Sequence, residues 1–290
     1  MSVETDGSVA ISHTGVDTGQ GIHVKIAQVA ARELKSLGCG FADLSVSTTS
    51  TRTAASANTT CTGGSQTTED NAKPVLAAVR ALKARLAPFA AAGKSWVEIV
   101  NAAAAAAVDL QARSHFVGPA SPLGEYAYVA YGVAATVVEV DGLSGEVRVL
   151  EADLLVDCGT SLNPAIDSGQ VIGGYALALS YLLHEEICWD AETGRLSTAG
   201  TWEYKPLSAW DVPEVFNCTL VPNAPCPTGF MGSKASAEPP LLLAAGALSA
   251  ARQALAALRA EQLPGPSASF TLDAPVTPVR VAGLLAGAST

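Results

Sequence analysis

Two valine-rich stretches in the middle of the chain lie only four residues apart. They span residues 126–141 and 146–157, and the sequence between them is Gly142-Leu143-Ser144-Gly145. Strand-forming residues on both sides of a short, glycine-containing connection predict a long β-hairpin. The fold of this chain must therefore accommodate an antiparallel pair of strands.

Apolar residues recur at helical spacing on both sides of this hairpin. The spacing predicts helices over residues 22–37, 66–92, 96–107, 164–183 and 239–261, and further strands over residues 2–5, 9–13, 44–47 and 216–221. Helices and strands are clustered, and the chain lacks both a regular βαβ alternation and the G-x-G-x-x-G sequence of a dinucleotide-binding fold, so the expected class is α+β. Because no internal repeat and no convincing linker is found, we expect residues 1–290 to form one domain portion.

Charge and composition exclude several classes of function. The formal net charge of −10 disfavours binding to nucleic acid or to anionic lipid. The longest apolar run, residues 171–183, is shorter than the roughly 20 residues that span a bilayer. The first residues show no signal-peptide pattern, so we expect a cytoplasmic protein with no nucleic-acid or membrane partner. The six cysteines lack the C-x-x-C pairs of zinc and iron–sulfur sites, so we expect no metal ligands on this chain.

Two predicted helices begin directly after small or polar residues. Gly19-Gln20-Gly21 precedes the helix at residue 22, and Thr62-Gly63-Gly64-Ser65 precedes the helix at residue 66. The first turn of a helix offers unpaired N–H groups that favour negative charge, so both loops are candidates for binding an anionic group. The alternatives are ordinary turn glycines at the first loop and a Ser/Thr helix cap at the second.

A third predicted helix begins at the sequence Glu238-Pro239-Pro240. Proline suits the first turn of a helix and biases the preceding residue away from helical backbone, which would hold Glu238 just outside the helix. Leucines occupy positions 241–243, so this carboxylate has apolar neighbours and is suited to act as a base. The alternative is a glutamate that caps the amino terminus of the helix.

Taken together and in this order, the segments resemble the molybdenum hydroxylases, the family of aldehyde oxidases and xanthine dehydrogenases. The matching stretches are residues 6–9 (D-G-S-V), 18–25 (T-G-Q-G-I-H-V-K), 131–134, 157–167 (D-C-G-T-S-L-N-P-A-I-D) and 233–241 (S-K-A-S-A-E-P-P-L). The resemblance covers essentially the whole chain and is to the carboxy-terminal portion of the second molybdopterin-binding domain. Residues 62–65 and 201–205 are similar in wording to plant-type aldehyde oxidases.

The resemblance implies a cofactor, site residues and partners. Gly19, Gln20 and Gly21 with Thr62, Gly63, Gly64 and Ser65 would hold the pterin and phosphate of a molybdenum–molybdopterin cofactor. Glu238 would be the general base in the hydroxylation of an aldehyde or an N-heterocycle with oxygen derived from water. Iron–sulfur clusters and FAD are expected only on upstream domains, which would be partners of this chain together with the missing upstream half of the molybdenum domain. Family members are homodimers.

The chain departs from the family pattern at two positions. Leu177 stands where the family has a glutamine that contacts the cofactor, and Ala237 replaces the glycine before the catalytic glutamate. An alanine there would be strained if the position needs a positive φ. Two hypotheses remain open: a part of an enzyme that works beside another polypeptide, and a non-catalytic remnant or truncated gene product. In either case we expect the isolated chain to be inactive.

Overall fold

The computed structural model describes residues 1–49, 61–116, 126–262 and 270–286. They form two compact units, residues 1–127 and residues 128–290. Each unit contains one three-stranded sheet and its own helices, which confirms the predicted α+β class. That residues 1–290 form one domain portion stays a prediction, and a boundary near residue 127 was not evident from composition.

The first unit contains strands β1, β2 and β3 and helices α1, α2 and α3. These are β1 (Ser2–Val3), β2 (Val9–His13), α1 (Ile22–Leu34), β3 (Leu44–Thr48), α2 (Thr67–Leu86) and α3 (Trp96–Ala105). Strand β2 pairs antiparallel with β1 and parallel with β3. Because α1 connects the two parallel strands, this part of the chain is a βαβ unit.

The ends of these helices have identifiable causes. A 3₁₀ turn over Lys35–Leu37 follows α1, and Gly38 ends it with a left-handed backbone, φ 88°. Helix α2 is shorter than predicted because the chain continues as a 3₁₀ turn over Ala87–Phe89, which contains Pro88. Helix α3 begins with a capping box between Ser95 and Glu98.

The second unit contains the predicted hairpin. Its elements are β4 (Gly132–Val140), β5 (Val147–Val156), α4 (Pro164–Leu183), β6 (Val215–Leu220), α5 (Ala245–Gln262) and α6 (Pro278–Leu285). Strands β4 and β5 are antiparallel, whereas β6 pairs parallel with β5 after the crossover through α4. Helices α4 and α5 cover the inner face of this sheet, where Ala152, Tyr175 and Leu255 are fully buried.

The last predicted long helix is not α-helical at its start. Pro239–Ala244 forms a 3₁₀ helix and α5 follows from Ala245. Two consecutive prolines lack N–H donors, and the first available one, at Leu241, donates to the Glu238 carbonyl at 3.1 Å. By length and composition, Pro239–Glu261 could cross a membrane; the sequence pattern predicted this helix but not that property. A helix that packs in a protein core can pass the same test, so no membrane role follows from it.

In the first unit, a pair of histidines joins β2 to α1. His13 Nε2 lies 2.9 Å from His23 Nδ1. His13 is 6% exposed. Burial, assisted by the nearby His23, lowers the pKa of His13 from 6.5 to about 4. The folded unit therefore keeps His13 neutral at pH values where the unfolded chain protonates it.

This depressed pKa predicts acid sensitivity of the first unit. Between pH 6.5 and about 4 the unfolded state binds the extra proton, so the free energy of unfolding should decrease as pH falls, by at most about 3 kcal/mol in total. Replacing His13 with Gln should remove this part of the pH dependence. Urea unfolding at several pH values measures this pH dependence. The fluorescence of buried Trp96 reports the unfolding of the first unit, because the other three tryptophans are already 64–93% exposed.

Replacement of the exposed His115 with Gln is the matched control and should leave the pH dependence unchanged. A His13→Gln protein whose stability still decreases with the wild-type slope between pH 6.5 and 4 would contradict the prediction.

Candidate functional site

The loop between β2 and α1 places Gln20 against its own backbone. Gln20 Nε2 donates to the Val16 carbonyl at 2.8 Å, and its Oε1 accepts from the Thr18 N–H at 2.6 Å. The carboxylate of Asp17 accepts from the N–H groups of Gly19 and Gly21. The polar groups that the sequence analysis expected to face a ligand are therefore already engaged within the loop, and an acidic side chain covers the N–H groups next to the start of α1.

The second predicted loop contacts the first directly. The Val16 N–H donates to Thr62 Oγ1 at 3.0 Å, while the Val16 carbonyl accepts from Gln20. One residue, Val16, thus connects the Gly19–Gly21 loop with the Thr62–Ser65 loop. The structure thus brings together the two loops that the family resemblance assigns to one cofactor.

A cavity of about 240 Å³ lies at the start of α2. Its walls are Thr14, Gly15, Cys61, Thr62, Gly63, Gly64, Gln66, Thr67, Asp70 and Asn71. Gly64 and Ser65 have left-handed backbones, φ 67° and 53°, and the right-handed Gln66 follows. Adjacent residues of opposite handedness, such as Ser65 and Gln66, form the concave backbone typical of anion-binding sites. A Cβ added at Gly64 would meet nothing within 4 Å, so a ligand could approach the backbone closely there.

Asn71 fixes the geometry of this cavity, although no sequence motif indicated a role for this residue. Its Oδ1 accepts from the N–H groups of Thr14 and Gly15 at 3.1 and 3.0 Å, and its Nδ2 donates to the Thr67 carbonyl at 2.8 Å. Asn71 is buried on α2. A polar residue on the apolar face of a predicted helix was the only sequence signal for this role.

The charges around the cavity are acidic rather than basic. Asp70 lines it, and Lys73 pairs with Asp70 and Glu69 at 3.8 Å. None of the described lining residues is lysine or arginine. An anion here would be held by hydroxyls, backbone N–H groups and the positive end of α2. This donor set fits a phosphate group through neutral contacts, and Asp70 opposes a highly charged one.

Glu238 lies in the second unit, exposed at the start of the 3₁₀ helix. Its backbone is right-handed helical, φ −81° and ψ −35°, so the expected extended conformation before Pro239 is wrong. It makes no side-chain capping hydrogen bond, which removes the support for the capping alternative. Of the three leucines at positions 241–243, Leu242 is 82% exposed, whereas Leu241 and Leu243 pack against the core of this unit.

The two departures from the family pattern have different structural outcomes. Ala237 is not among the described residues with a positive φ, so the anticipated backbone strain is absent. Leu177 lies on α4 and is 67% exposed. Packing within the second unit therefore does not account for an apolar residue at this position.

Within the described ranges, no group of three or more His, Cys, Asp or Glu side chains is placed to hold a metal ion.

Comparison with known proteins identifies the family. The sequence pattern described as "Molybdopterin cofactor-binding domain" matches residues 1–213. The xanthine dehydrogenase of Oryza sativa subsp. japonica is 36% identical over 97% of this chain, and aldehyde oxidase 4 of Arabidopsis thaliana is 35% identical over 91%. The chain spans about a fifth of the length of these relatives, 21% and 20% respectively. Such similar identities do not separate the plant aldehyde oxidases from the xanthine dehydrogenases.

Solved structures support the same fold. Quinoline 2-oxidoreductase from Pseudomonas putida 86 superimposes with a TM-score of 0.79 and 24% identity, over 98% of this chain and 37% of that chain. The aldehyde oxidoreductase of Desulfovibrio gigas gives a TM-score of 0.74 at 20% identity, over 98% of this chain and 30% of that one. The chain belongs to the molybdopterin cofactor-binding domain family, found in oxidoreductases of the xanthine dehydrogenase and aldehyde oxidase type.

Proposed function

We propose that this chain supplies part of the cofactor site and the general base of a hydroxylase that acts on aldehydes or N-heterocycles. The observation that carries the proposal is the connection of the two glycine-containing loops through Val16, beside an open cavity at the start of α2. The same enzyme would carry iron–sulfur clusters and FAD on other domains, act in the cytoplasm and form homodimers.

The two loops would divide the binding of the cofactor. Residues 62–65 offer hydroxyls and a left-handed backbone at the start of a helix, which suits the phosphate group. The Gly19–Gly21 loop, whose N–H groups Asp17 already covers, suits the uncharged pterin, which Gln20 could contact through the Nε2 hydrogen that does not bond to the Val16 carbonyl. When bound, the molybdenum cofactor supplies a two-electron oxidation centre.

Glu238 would accept a proton during the hydroxylation. Its carboxylate is exposed at the end of an ordered segment, where a ligand can reach it. General-base catalysis requires that the substrate and the base be held together away from bulk water. Because Leu242 and Leu177 are also exposed, exclusion of water from this base would require other domains of the enzyme.

A second candidate function is a non-catalytic remnant that keeps the fold. Leu177 favours it, because a leucine cannot donate the hydrogen bond of the glutamine that the family has at this position. The hydrogen bonds that connect the two loops through Val16 favour the catalytic proposal. A protein that binds no cofactor would not need to keep the open cavity at the start of α2.

The proposed phosphate site predicts a charge-sensitive position at Gly63. A Cβ at Gly63 would contact only Cys61 Sγ, at 3.9 Å, so Gly63→Asp should fold normally. Its carboxylate would repel the phosphate, and the pterin content of the protein assembled with its other domains should fall by at least about tenfold. The pterin content is measured by the fluorescence of the pterin after its oxidative release from the protein.

The matched control for this variant is Gly283→Asp, on α6 of the second unit. Like Gly63, Gly283 has no left-handed backbone, and an added Cβ there meets nothing within 4 Å. Equal pterin contents in the two variants would contradict the assignment of the phosphate to residues 62–65.

The proposed base predicts that Glu238→Gln loses activity without losing cofactor. In the assembled enzyme, aldehyde turnover should fall by roughly a hundredfold or more, because Gln keeps the size of the side chain but cannot accept the proton. Molybdenum content, measured by elemental mass spectrometry, should be unchanged. Glu146→Gln, an exposed replacement in the turn between β4 and β5, is the control and should keep full turnover. Turnover of Glu238→Gln within a few fold of wild type would show that this residue is not the base.

A further inference from the structure

We infer that three contacts from the loop before α4, and from α4 itself, position the segment that ends at Glu238. The positioning residues are Asp157, Asp167 and Gly174, which contact Lys234, Ser236 and Ala237 respectively. The inference rests on the proposed role of Glu238 as the base. None of the three residues is proposed to touch the substrate.

The first contact is a buried ion pair. Lys234 Nζ lies 2.5 Å from an Asp157 carboxylate oxygen, and both side chains are about 10% exposed or less. Lys234 Nζ also donates to the Val129 carbonyl at 2.8 Å. The other Asp157 oxygen accepts from the Gly159 N–H at 2.8 Å. Asp157 thus binds the segment that carries Glu238 and its own loop at the same time.

Backbone contacts extend this first attachment. The Lys234 N–H donates to the Cys158 carbonyl at 2.9 Å, and the Thr160 N–H donates to the Gly232 carbonyl at 2.6 Å. Gly159 allows these two segments to lie this close. Its backbone is left-handed, and an added Cβ would lie 2.3 Å from the Gly232 carbonyl oxygen. The loop after β5 and the residues around 233 therefore form a short antiparallel bridge.

The second contact is made by a buried carboxylate in the first turn of α4. Asp167 is 4% exposed, and it accepts hydrogen bonds from Ser236 Oγ at 3.1 Å and from Ser161 Oγ. Like Asp157, it joins the segment before Glu238 to the loop before α4. The carboxylates of Asp157 and Asp167 thus hold Lys234 and Ser236, which are two residues apart in the sequence, against the same part of the unit.

The third contact is steric. An added Cβ at Gly174 would lie 2.2 Å from the Ala237 carbonyl oxygen and 3.8 Å from Pro240 Cβ. Only glycine allows α4 to pack this closely on the residue directly before Glu238. The next residue of α4, Tyr175, is fully buried, and its hydroxyl lies 3.1 Å from Thr136 Oγ1 on β4. The surface that meets Ala237 is therefore fixed to the sheet.

These contacts are better explained by positioning than by stability. A buried ion pair contributes little net stability compared with a well-packed apolar pair, because both charges lose their hydration. The arrangement here instead fixes the backbone at positions 234, 236 and 237 and leaves the next side chain, Glu238, exposed. A base must be held within a few tenths of an ångström of its working position, and a rigid support achieves this.

Gly174→Ala and Gly173→Ala form a matched pair of variants for the test. The two glycines are neighbours on α4, but an added Cβ at Gly173 meets nothing within 4 Å. In the 290-residue chain, hydrogen exchange of the Lys234 and Leu241 amides should accelerate by about tenfold in Gly174→Ala, while amides of β4 and β5 keep their protection. Gly173→Ala should leave all of these rates unchanged or lower them, because alanine favours helix.

Ser236→Ala tests the contact with Asp167 without unpairing a buried charge. We expect the same local acceleration of exchange, with rescue by Ser236→Thr, which keeps the hydroxyl. In the assembled enzyme, Ser236→Ala should lower kcat by about tenfold with KM and molybdenum content unchanged. The kcat should return to the wild-type value in Ser236→Thr.

The outcomes separate this inference from the proposed function. Unchanged exchange at Lys234 and Leu241 in both Gly174→Ala and Ser236→Ala would overturn the positioning role, whatever the activity of Glu238→Gln. Exchange that rises equally throughout the second unit would also overturn it, since that result indicates only general destabilisation. If exchange rises locally while Glu238→Gln keeps its turnover, the contacts position this segment as inferred and the base must be a different residue.

Discussion

The side-chain amide of Asn71 joins the end of β2 to the start of α2, and the geometry of the candidate cofactor site depends on it. A buried amide must satisfy its hydrogen-bonding groups, and this one does so only when residues 14 and 15 lie against the first turn of α2. That placement brings Val16 within reach of Thr62. In the second unit, Asp157 and Asp167 act in a similar way. In both units, buried polar side chains fasten the loops of the candidate site to the helices.

Much of the fold was predictable because it depends on local patterns. The hairpin of β4 and β5 follows from alternating strand residues around a four-residue turn, and α4 follows from its apolar spacing and its Asn163-Pro164 start. Pro88 could have been recognised as the end of α2, since proline interrupts helical hydrogen bonding. The 3₁₀ geometry after Glu238 was less accessible, because prolines are also common in the first turn of an α-helix.

The candidate site was predictable as a set of segments but not as an arrangement. Family resemblance indicated the loops at residues 19–21 and 62–65, yet no sequence pattern states that Val16 would bond to both. The glycines show the same limit. Gly64 and Gly174 look alike in the sequence, but the first borders open space and the second meets the Ala237 carbonyl. Only the contacts between distant segments distinguish a glycine that leaves space for a ligand from one that leaves space for another segment of the same chain.

The exposure of Glu238 has a physical consequence for where catalysis can occur. A carboxylate in water is strongly hydrated, and this hydration must be removed before the group can act efficiently on a bound substrate. Within the second unit, Glu238 is exposed, and Leu177 and Leu242 are exposed as well. Exposed apolar side chains near an ordered polar group are typical of surfaces that another protein segment covers. In the proposed hydroxylase, this unit would position the carboxylate, and a low-dielectric environment around it would come from other domains, since the relatives are about five times as long as this chain.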